Sequence, residues 1–220
     1  LTGYRGGNGN ITQQKQRHDK ILSMALFDPL TQLPNRAYLI DQLQKHLKEQ
    51  VQRQSLTMSA LIYMDLDGFK QINDSMGHET GDTVLKTIAK RLSQTARPKD
   101  FVSRLAGDEL VILVRNTDQM LMKEFKHELN IHMLNIIDVC NQPIAIDDQF
   151  VNIGISLGVA LIPQDGRTAS EILSHSDTAM YQAKLQGKNR FQYFDASMQE
   201  ESDRRARIIS ELKQAITNNE

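Results

Sequence analysis

The sequence predicts an α/β (α+β) fold in which helices flank a central, mostly antiparallel sheet. Three observations indicate it. Short apolar runs that suit strands alternate with longer segments whose apolar residues recur every three or four positions, as in helices. Two of the runs, at 101–105 and 110–114, are separated only by a four-residue turn, which predicts a β-hairpin. About 40% of the 220 residues are hydrophobic, which is enough for a substantial core.

The first elements connect this fold to whatever precedes it. Residues 1–10 are rich in Gly and Asn and indicate a loop or the tail of an upstream domain. Residues 11–27 suit a connecting helix. After the punctuation at Asp28-Pro29 and Leu33-Pro34, a helix is expected. Its predicted apolar face contains Ile40, Leu43, Leu47 and Val51.

The middle of the chain provides a strand, two helices and the hairpin. The apolar run 58–64 predicts a buried strand. Residues 68–76 and 79–95 are expected to be helical. The second helix has an apolar stripe of Val84, Leu85, Ile88 and Leu92. The hairpin at 101–114 follows it.

The last third repeats the alternation. Residues 118–140 and 170–185 are expected to be helical. Strict alternation of apolar residues from Val151 to Leu161 predicts a strand with one buried face. Residues 191–194 predict a closing strand, and 198–217 an amphipathic helix leading towards another domain.

Composition excludes several classes of function. A formal net charge of −1 disfavours sequence-independent binding of nucleic acid, so we expect no nucleic-acid partner. One cysteine, Cys140, excludes an internal disulfide framework and a multi-cysteine zinc site. No apolar run approaches the roughly 20 residues that span a bilayer. The chain begins at Leu1, so we expect a piece of a longer cytoplasmic protein, or of the cytoplasmic part of a membrane-associated one.

Acidic residues stand at two predicted strand ends. Asp65 and Asp67 follow the run 58–64, and Asp108 and Glu109 lie in the hairpin turn. If the strands are neighbours, these carboxylates form a hard-oxygen site suited to Mg²⁺ and a nucleoside triphosphate. The alternative is that they are solvated acids at strand ends. Gly107 suits a turn that needs positive φ or a closely approaching ligand.

Polar residues between the two acidic groups suit a nucleotide. Asn73, Asp74, His78 and Asp82 offer amide and carboxylate groups that can read a guanine edge, although such residues also collect at helix ends. Lysines could bind the triphosphate oxygens, although most lysines are solvated. The candidates are Lys70, Lys184 and Lys188.

Six motifs in order resemble the GGDEF family of bacterial diguanylate cyclases. They are DPLTQLPNR at 28–36, MDLDGFKQIND at 64–74, GHETGD at 77–82, RLAGDEL at 104–110, ISLGVA at 155–160 and DTAMYQAKLQGKNR at 177–190. The resemblance covers Asp28 to Asp195. It implies a GGDEF domain at 28–195 between an upstream tail and signalling helix at 1–27 and a linker helix at 196–220.

The resemblance implies a five-stranded sheet like that of adenylyl cyclase catalytic domains and polymerase palms. It also implies Mg²⁺ or Mn²⁺ held by Asp65, Asp108, Glu109 and the Leu66 carbonyl. Asp108, Glu109 and Lys70 would be catalytic, with Glu109 near the attacking 3′-hydroxyl as metal ligand or base. Substrate contacts are implied for Phe69, Asn73, His78, Asp82, Gly107, Lys184 and Lys188. Two GTP-loaded domains would face each other as a homodimer and form cyclic di-GMP.

Arg97-Pro98-Lys99-Asp100 lies at the spacing of the family's R-x-x-D product-inhibition site. Arginine can pair with a guanine edge or a phosphate, and aspartate accepts from guanine nitrogens. The resemblance therefore implies that Arg97 and Asp100 bind cyclic di-GMP as an inhibitor.

The signature turn departs from the family pattern. Ala106 replaces the first glycine of Gly-Gly-Asp/Glu-Glu-Phe, and Leu110 replaces the phenylalanine. Two functions follow: an active, product-inhibited cyclase, or a module that binds GTP or cyclic di-GMP and regulates a neighbouring phosphodiesterase. Residues 204–216 resemble the helix that precedes an EAL phosphodiesterase domain, and the N-terminal residues resemble the end of a PAS domain.

Overall fold

The computed structural model describes residues 24–52, 58–116 and 120–201, together with 204, 207, 208 and 211. Its helices are α1 (Arg36–Gln52), α2 (Phe69–Met76), α3 (His78–Thr95), α4 (Met122–Asn141) and α5 (Ala169–Leu185). Its strands are β1 (Ser59–Asp67), β2 (Phe101–Ala106), β3 (Glu109–Arg115), β4 (Ile144–Ile146), β5 (Gln149–Val151), β6 (Gly154–Ile162) and β7 (Phe191–Tyr193). Within these ranges no helix is long and apolar enough to cross a membrane.

Five strands form one sheet in the order β2-β3-β1-β6-β7. All neighbours are antiparallel except β6 and β7, which run parallel. The predicted α/β fold with a mostly antiparallel five-stranded sheet is therefore confirmed. The connecting helix predicted at 11–27 and most of that predicted at 198–217 lie outside the described residues, although 24–26 and 196–201 are helical.

The sheet is buried on both faces. Ala60 and Ile62 of β1 pack into a core cluster with residues of α3 and α4. Leu61 and Tyr63, pointing the other way, pack with residues of α1 and α5. Strands covered on both faces are apolar throughout instead of alternating, which explains the continuous apolar run of β1.

Two predicted patterns differ from the structure, and the first differs for this reason. β6 does not start at Val151, which belongs to the separate β4–β5 hairpin, and it is buried on both faces from Ile155 to Ile162. Because β6 lies between β1 and β7 and helices cover both faces of the sheet, β6 has no solvent-exposed polar face. In α1, Leu43 is buried as predicted and Leu47 packs against the same cluster, but Leu39 is also buried and Val51 in the last turn is 79% exposed.

Gly158 of β6 allows α5 to rest directly on the sheet. A Cβ at this position would lie 2.0 Å from both the Met180 nitrogen and the Ser176 carbonyl oxygen. No side chain fits there, so the α5 backbone approaches β6 more closely than ordinary helix–sheet packing allows. This contact fixes the height of α5 above the strands that carry the acidic residues.

The β2–β3 hairpin has a two-residue turn, which corrects the predicted four-residue turn. Ala106 pairs with Glu109, leaving only Gly107 and Asp108 between the strands, and a bulge interrupts the register between Arg104 and Ala106. Gly107 has φ +51°, as expected for glycine. The Arg97–Asp100 segment precedes β2, so it lies at the other end of the hairpin from the turn.

Candidate functional site

The end of β1 lies beside the start of β3, and this brings three of the predicted acids together. Asp65 is the cross-strand partner of Glu109, and Asp108 lies in the adjoining turn. Directly opposed residues in an antiparallel pair project from the same face of the sheet. Leu66 has no partner in β3 because that strand begins at Glu109.

Lys184 joins this acidic group from α5. Its Nζ lies 2.6 Å from Asp65 Oδ1, and the two side chains are only 27% and 13% exposed. Burial nevertheless raises the pKa of Asp65 to about 6, and the charges of Asp108 and Asp67 add to the rise, so Lys184 offsets the effect only in part. The site therefore carries more negative charge than its own lysine neutralises.

The oxygen atoms at this site suit a hard divalent cation, but the carboxylates are not arranged around one common position. Carboxylate oxygens from Asp65, Asp108 and Glu109 are of the type that Mg²⁺ prefers. In the part of the chain that the structure describes, no group of three or more His, Cys, Asp or Glu side chains is arranged to hold a metal ion. Asp65 is instead engaged with Lys184. Mg²⁺ commonly takes one or two carboxylates plus phosphate oxygens, so the residues fit a metal that arrives with a triphosphate.

Asp67 has a structural role that its position in the sequence did not reveal. Ser156 Oγ donates to both of its carboxylate oxygens, at 2.8 and 3.0 Å, and the Asn189 backbone N–H donates to Oδ2 at 2.9 Å. These bonds tie β1 to β6 and to the loop after α5, where Lys188 has φ +62°. Asp67 thus holds the loop that carries the predicted phosphate ligand Lys188.

The predicted guanine and phosphate ligands lie on α2 and α3, directly after β1. Asn73 packs against α3 where Gly81 leaves room: a Cβ there would be 1.9 Å from Asn73 Oδ1. Lys70, His78 and Asp82 are exposed. Phe69, in contrast, is 8% exposed and belongs to the core, so its backbone and not its ring is available to a ligand.

Two further residues, to which the sequence patterns assigned no role, lie in this region. The pKa of Tyr63 on β1 is raised by burial and by the nearby carboxylates of Glu109 and Asp177. Asp177 is on α5, one face of which therefore brings both Asp177 and Lys184 to the site. Helical spacing of 177 and 184, two turns apart, was the available signal.

Arg104 links the β2–β3 turn to Asp28, near the start of the described residues. Its Nε and Nη2 donate to the Gly107 carbonyl at 3.0 and 2.7 Å, and its Nη1 donates to Asp28 Oδ1 at 2.8 Å. Thr31 also donates to Asp28 through its backbone N–H and its hydroxyl. Burial opposes ionisation, but these bonds hold the pKa of Asp28 below its ordinary value. The two partners are separated by 76 positions, so no local pattern could pair them.

A second polar site lies at the open end of the hairpin, where β2 begins and β3 ends. Asp100 Oδ2 accepts from the Arg97 backbone N–H at 3.1 Å and from Arg97 Nε at 3.2 Å, and the Asp100 side chain is 1% exposed. A cavity of about 270 Å³ adjoins this pair. The cavity is lined by Arg97, Pro98, Lys99, Asp100, Arg115, Asn116, Met120 and Phe125.

Comparison with known proteins identifies close relatives. The family model described as "Diguanylate cyclase, GGDEF domain" matches residues 25–190. MucR of Pseudomonas aeruginosa, a bifunctional diguanylate cyclase/cyclic di-GMP phosphodiesterase, is 34% identical over 205 residues, which are 93% of this chain and 29% of MucR. NbdA of the same organism, a cyclic di-GMP phosphodiesterase, is 32% identical over 210 residues, 95% of this chain and 26% of NbdA.

The solved GGDEF domain of TpbB (YfiN) from Pseudomonas aeruginosa has the same fold. It superposes with a TM-score of 0.73 at 32% identity and covers 80% of this chain and 99% of that domain. The chain thus spans between a quarter and a third of the length of the two curated relatives.

Proposed function

Because this chain belongs to the GGDEF family, we propose that it is a diguanylate cyclase domain that condenses two GTP molecules into cyclic di-GMP and two pyrophosphates. The observation that carries the proposal is the placement of Asp65 beside Glu109 and Asp108, with Lys184 reaching the same carboxylate at 2.6 Å. An uncompensated acidic site of this kind attracts a divalent cation and its bound triphosphate.

Each step of the reaction requires two domains. The 3′-hydroxyl oxygen of one GTP forms a bond to the α-phosphorus of the other, and the bond from that phosphorus to the pyrophosphate breaks. The hydroxyl proton passes to a base, for which Glu109 is the candidate. Because one domain holds one GTP, the reaction needs a homodimer in which the two nucleotides face each other.

The bound Mg²⁺ or Mn²⁺ would be held by Asp65, Asp108, Glu109 and the Leu66 carbonyl, and would neutralise charge on the phosphates. The chain's own lysine would then change partner. Lys184 has a flexible four-carbon side chain that is 27% exposed, and it would turn from Asp65 to a triphosphate oxygen. Lys70 and Lys188 add phosphate contacts, while Asn73, His78 and Asp82 read the guanine.

The altered signature turn is compatible with turnover. Ala106 is exposed and does not have positive φ, so the replacement of glycine adds a methyl group without backbone strain. Leu110 is fully buried in the core, so replacing the family's larger phenylalanine with leucine changes only apolar packing. Neither change removes a polar group that the chemistry needs.

Product inhibition is proposed at Arg97 and Asp100, through binding of cyclic di-GMP. The support is the adjoining cavity and the free hydrogen-bonding capacity of the pair. Cyclic di-GMP would bind there without touching the acidic site, since the two lie at opposite ends of the hairpin.

A regulatory function is the second candidate. It is favoured by the relative NbdA, which is named as a cyclic di-GMP phosphodiesterase. Here the chain would bind GTP or cyclic di-GMP without turnover and control an EAL domain joined to it, with PAS input from the other side.

One assay separates the two functions. The chain is fused to a constitutive dimeric coiled coil and incubated with GTP and Mg²⁺, and cyclic di-GMP is quantified by chromatography. A cyclase releases product and two pyrophosphates per molecule of product. If a dimeric, GTP-saturated sample forms no cyclic dinucleotide, the cyclase proposal is wrong, and calorimetric binding of cyclic di-GMP alone would support the regulatory function.

A further inference from the structure

Unpaired buried polar atoms concentrate at one end of the β2–β3 hairpin. Among the described residues, the buried side-chain atoms without a hydrogen-bond partner are Arg97 Nη2, Asp100 Oδ1, Arg115 Nε, Asn116 Oδ1 and His132 Nε2. An unpaired buried donor or acceptor costs roughly 1–3 kcal/mol, so native proteins rarely collect several in one place. Such a collection beside a cavity indicates a ligand that supplies the missing partners.

The first two residues leave one donor and one acceptor without partners beside the cavity. Asp100 uses Oδ2 for both bonds from Arg97, which leaves Oδ1 free as an acceptor. Arg97 uses Nε for Asp100, and its Nη1 lies 3.7 Å from Glu128, which leaves Nη2 free as a donor. Both residues line the cavity.

Asn116 adds a second acceptor from the end of β3. Its Nδ2 donates to the Met120 carbonyl at 3.3 Å, which fixes the orientation of the amide because a carbonyl can only accept. Its Oδ1 has no partner, and the residue is 9% exposed. Asn116 thus lines the same cavity and has an amide oxygen whose hydrogen-bonding capacity is unused.

The remaining two residues do not present a group to the ligand. Arg115 lines the cavity, but its Nη2 donates to Gln42 Oε1 of α1 at 3.3 Å, so its guanidinium is directed away. His132 is not part of the cavity wall, and its Nε2 lies 3.8 Å from Asp100 Oδ2.

We propose that Asn116 is a third base-reading residue of the Arg97–Asp100 site and that it selects guanine. The inference rests on the proposed binding of cyclic di-GMP there. Guanine presents donors at N1 and N2 and acceptors at O6 and N7, which complement two acceptors and one arginine donor. Adenine has no N1–H and cannot satisfy both acceptors from one edge. At about 270 Å³ the cavity is just below the range for drug-sized ligands, so it suits one base and not the whole dinucleotide.

The test is calorimetric titration of the whole chain with cyclic di-GMP and with cyclic di-AMP. We expect the unmutated chain to prefer cyclic di-GMP by at least about 100-fold, since a site built for a hydrogen bond strongly rejects a ligand that cannot make it. Asn116→Ala is expected to lower affinity for cyclic di-GMP about tenfold and to change affinity for cyclic di-AMP less than about twofold. The matched control, Asn135→Ala on the exposed side of α4, is expected to change neither.

Arg97→Ala distinguishes failure of this inference from failure of the site. If Arg97→Ala abolishes binding while Asn116→Ala leaves it unchanged, the role of Asn116 is wrong and the site stands. If Arg97→Ala leaves binding unchanged, the proposed inhibitory site is itself wrong. The guanine selectivity is wrong if the unmutated chain binds both dinucleotides equally. It is also wrong if Asn116→Ala weakens binding of both equally. The first of these measurements does not depend on a variant folding correctly.

Discussion

The two ends of the β2–β3 hairpin differ in how their polar groups are satisfied. At the turn end, acids crowd together, but Asp65 has Lys184 as a partner and Asp67 has Ser156. At the open end, Arg97, Asp100 and Asn116 keep atoms without partners around a cavity. The turn end therefore has more negative than positive charge, whereas the open end has buried polar atoms that lack hydrogen-bond partners.

This difference indicates what each end needs from a ligand. Excess negative charge is relieved by a cation, and the proposed reaction brings one with each triphosphate, together with a second domain. Missing hydrogen bonds are relieved by a neutral base, which a single chain can bind. We therefore expect activity to require dimerisation and binding of the inhibitor not to require it.

The strongest test of this separation is Asp108→Ala. Loss of this carboxylate is expected to lower cyclic di-GMP formation at least about 100-fold, because it removes a proposed ligand of the cation that neutralises the reacting phosphates. Binding of cyclic di-GMP at Arg97 should stay within about twofold of the original. Asp148→Ala, in the turn of the exposed β4–β5 hairpin, is the control and should affect neither measurement. An equal loss of cyclic di-GMP formation and of cyclic di-GMP binding would show that the two ends of the hairpin are not independent.

The link between Arg104, Asp28 and Gly107 should be the next most sensitive feature. Arg104→Ala is expected to lower turnover about tenfold and the free energy of unfolding by about 1–3 kcal/mol, because Asp28 and the Gly107 carbonyl lose a charged donor. Arg91→Ala is a matched control, since Arg91 also donates to three backbone carbonyls but lies between α3 and the end of α4. It should cost similar stability in urea unfolding and leave turnover of the folded fraction unchanged.

The acidic crowding at the turn end should be measurable as a pH effect on stability. The pKa of Asp65 is raised to about 6 in the folded protein and lies near 3.8 when unfolded, so folding favours its protonated form. Its contribution is therefore favourable below about pH 4 and is lost as the pH rises through about 6. Asp65→Asn should raise the free energy of unfolding at pH 8 by about 1–3 kcal/mol.

The comparison that decides this is the same variant at about pH 3, below the pKa of both states, where the gain should disappear because Asp65 is largely protonated whether folded or unfolded. Asp138→Asn, on the exposed side of α4, provides the control. If Asp65→Asn destabilises the domain at pH 8, the Lys184 ion pair outweighs the crowding and the description of the turn end as over-charged is wrong.

The smallest effect is expected for the unusual signature residue. Ala106→Gly should change turnover less than about threefold, because Ala106 is exposed and free of positive φ. Gly107→Ala is the informative counterpart, since φ +51° at that position strains any side chain by about 1 kcal/mol or more. Steady-state kinetics of both variants in the forced dimer would test this. A large gain from Ala106→Gly would mean that its methyl group obstructs the substrate.

The sheet and the acidic end of the candidate site could be predicted from the sequence. Strand ends bearing acids and a turn bearing Gly107 indicated the site, because side-chain period and turn chemistry are local properties. The two-sided burial of β6 and the separate β4–β5 hairpin could not be predicted, because periodicity does not show how many layers cover a strand. Long-range partners such as Asp28 with Arg104, or Asp67 with Ser156, also leave no local signal. The free oxygen of Asn116 depends on Met120 and a cavity, which only the folded chain reveals.

The β2–β3 hairpin has a consequence for genetics. Six or seven residues at about 3.3 Å each place the turn and the open end roughly 20 Å apart along one continuous element. A lesion that shifts the register of β2 against β3 would displace both ends at once. In a screen for altered second-messenger levels, such alleles should be pleiotropic, losing synthesis and feedback together. Alleles at Asp108 or at Asn116, each at one end of the hairpin, should instead separate the two traits.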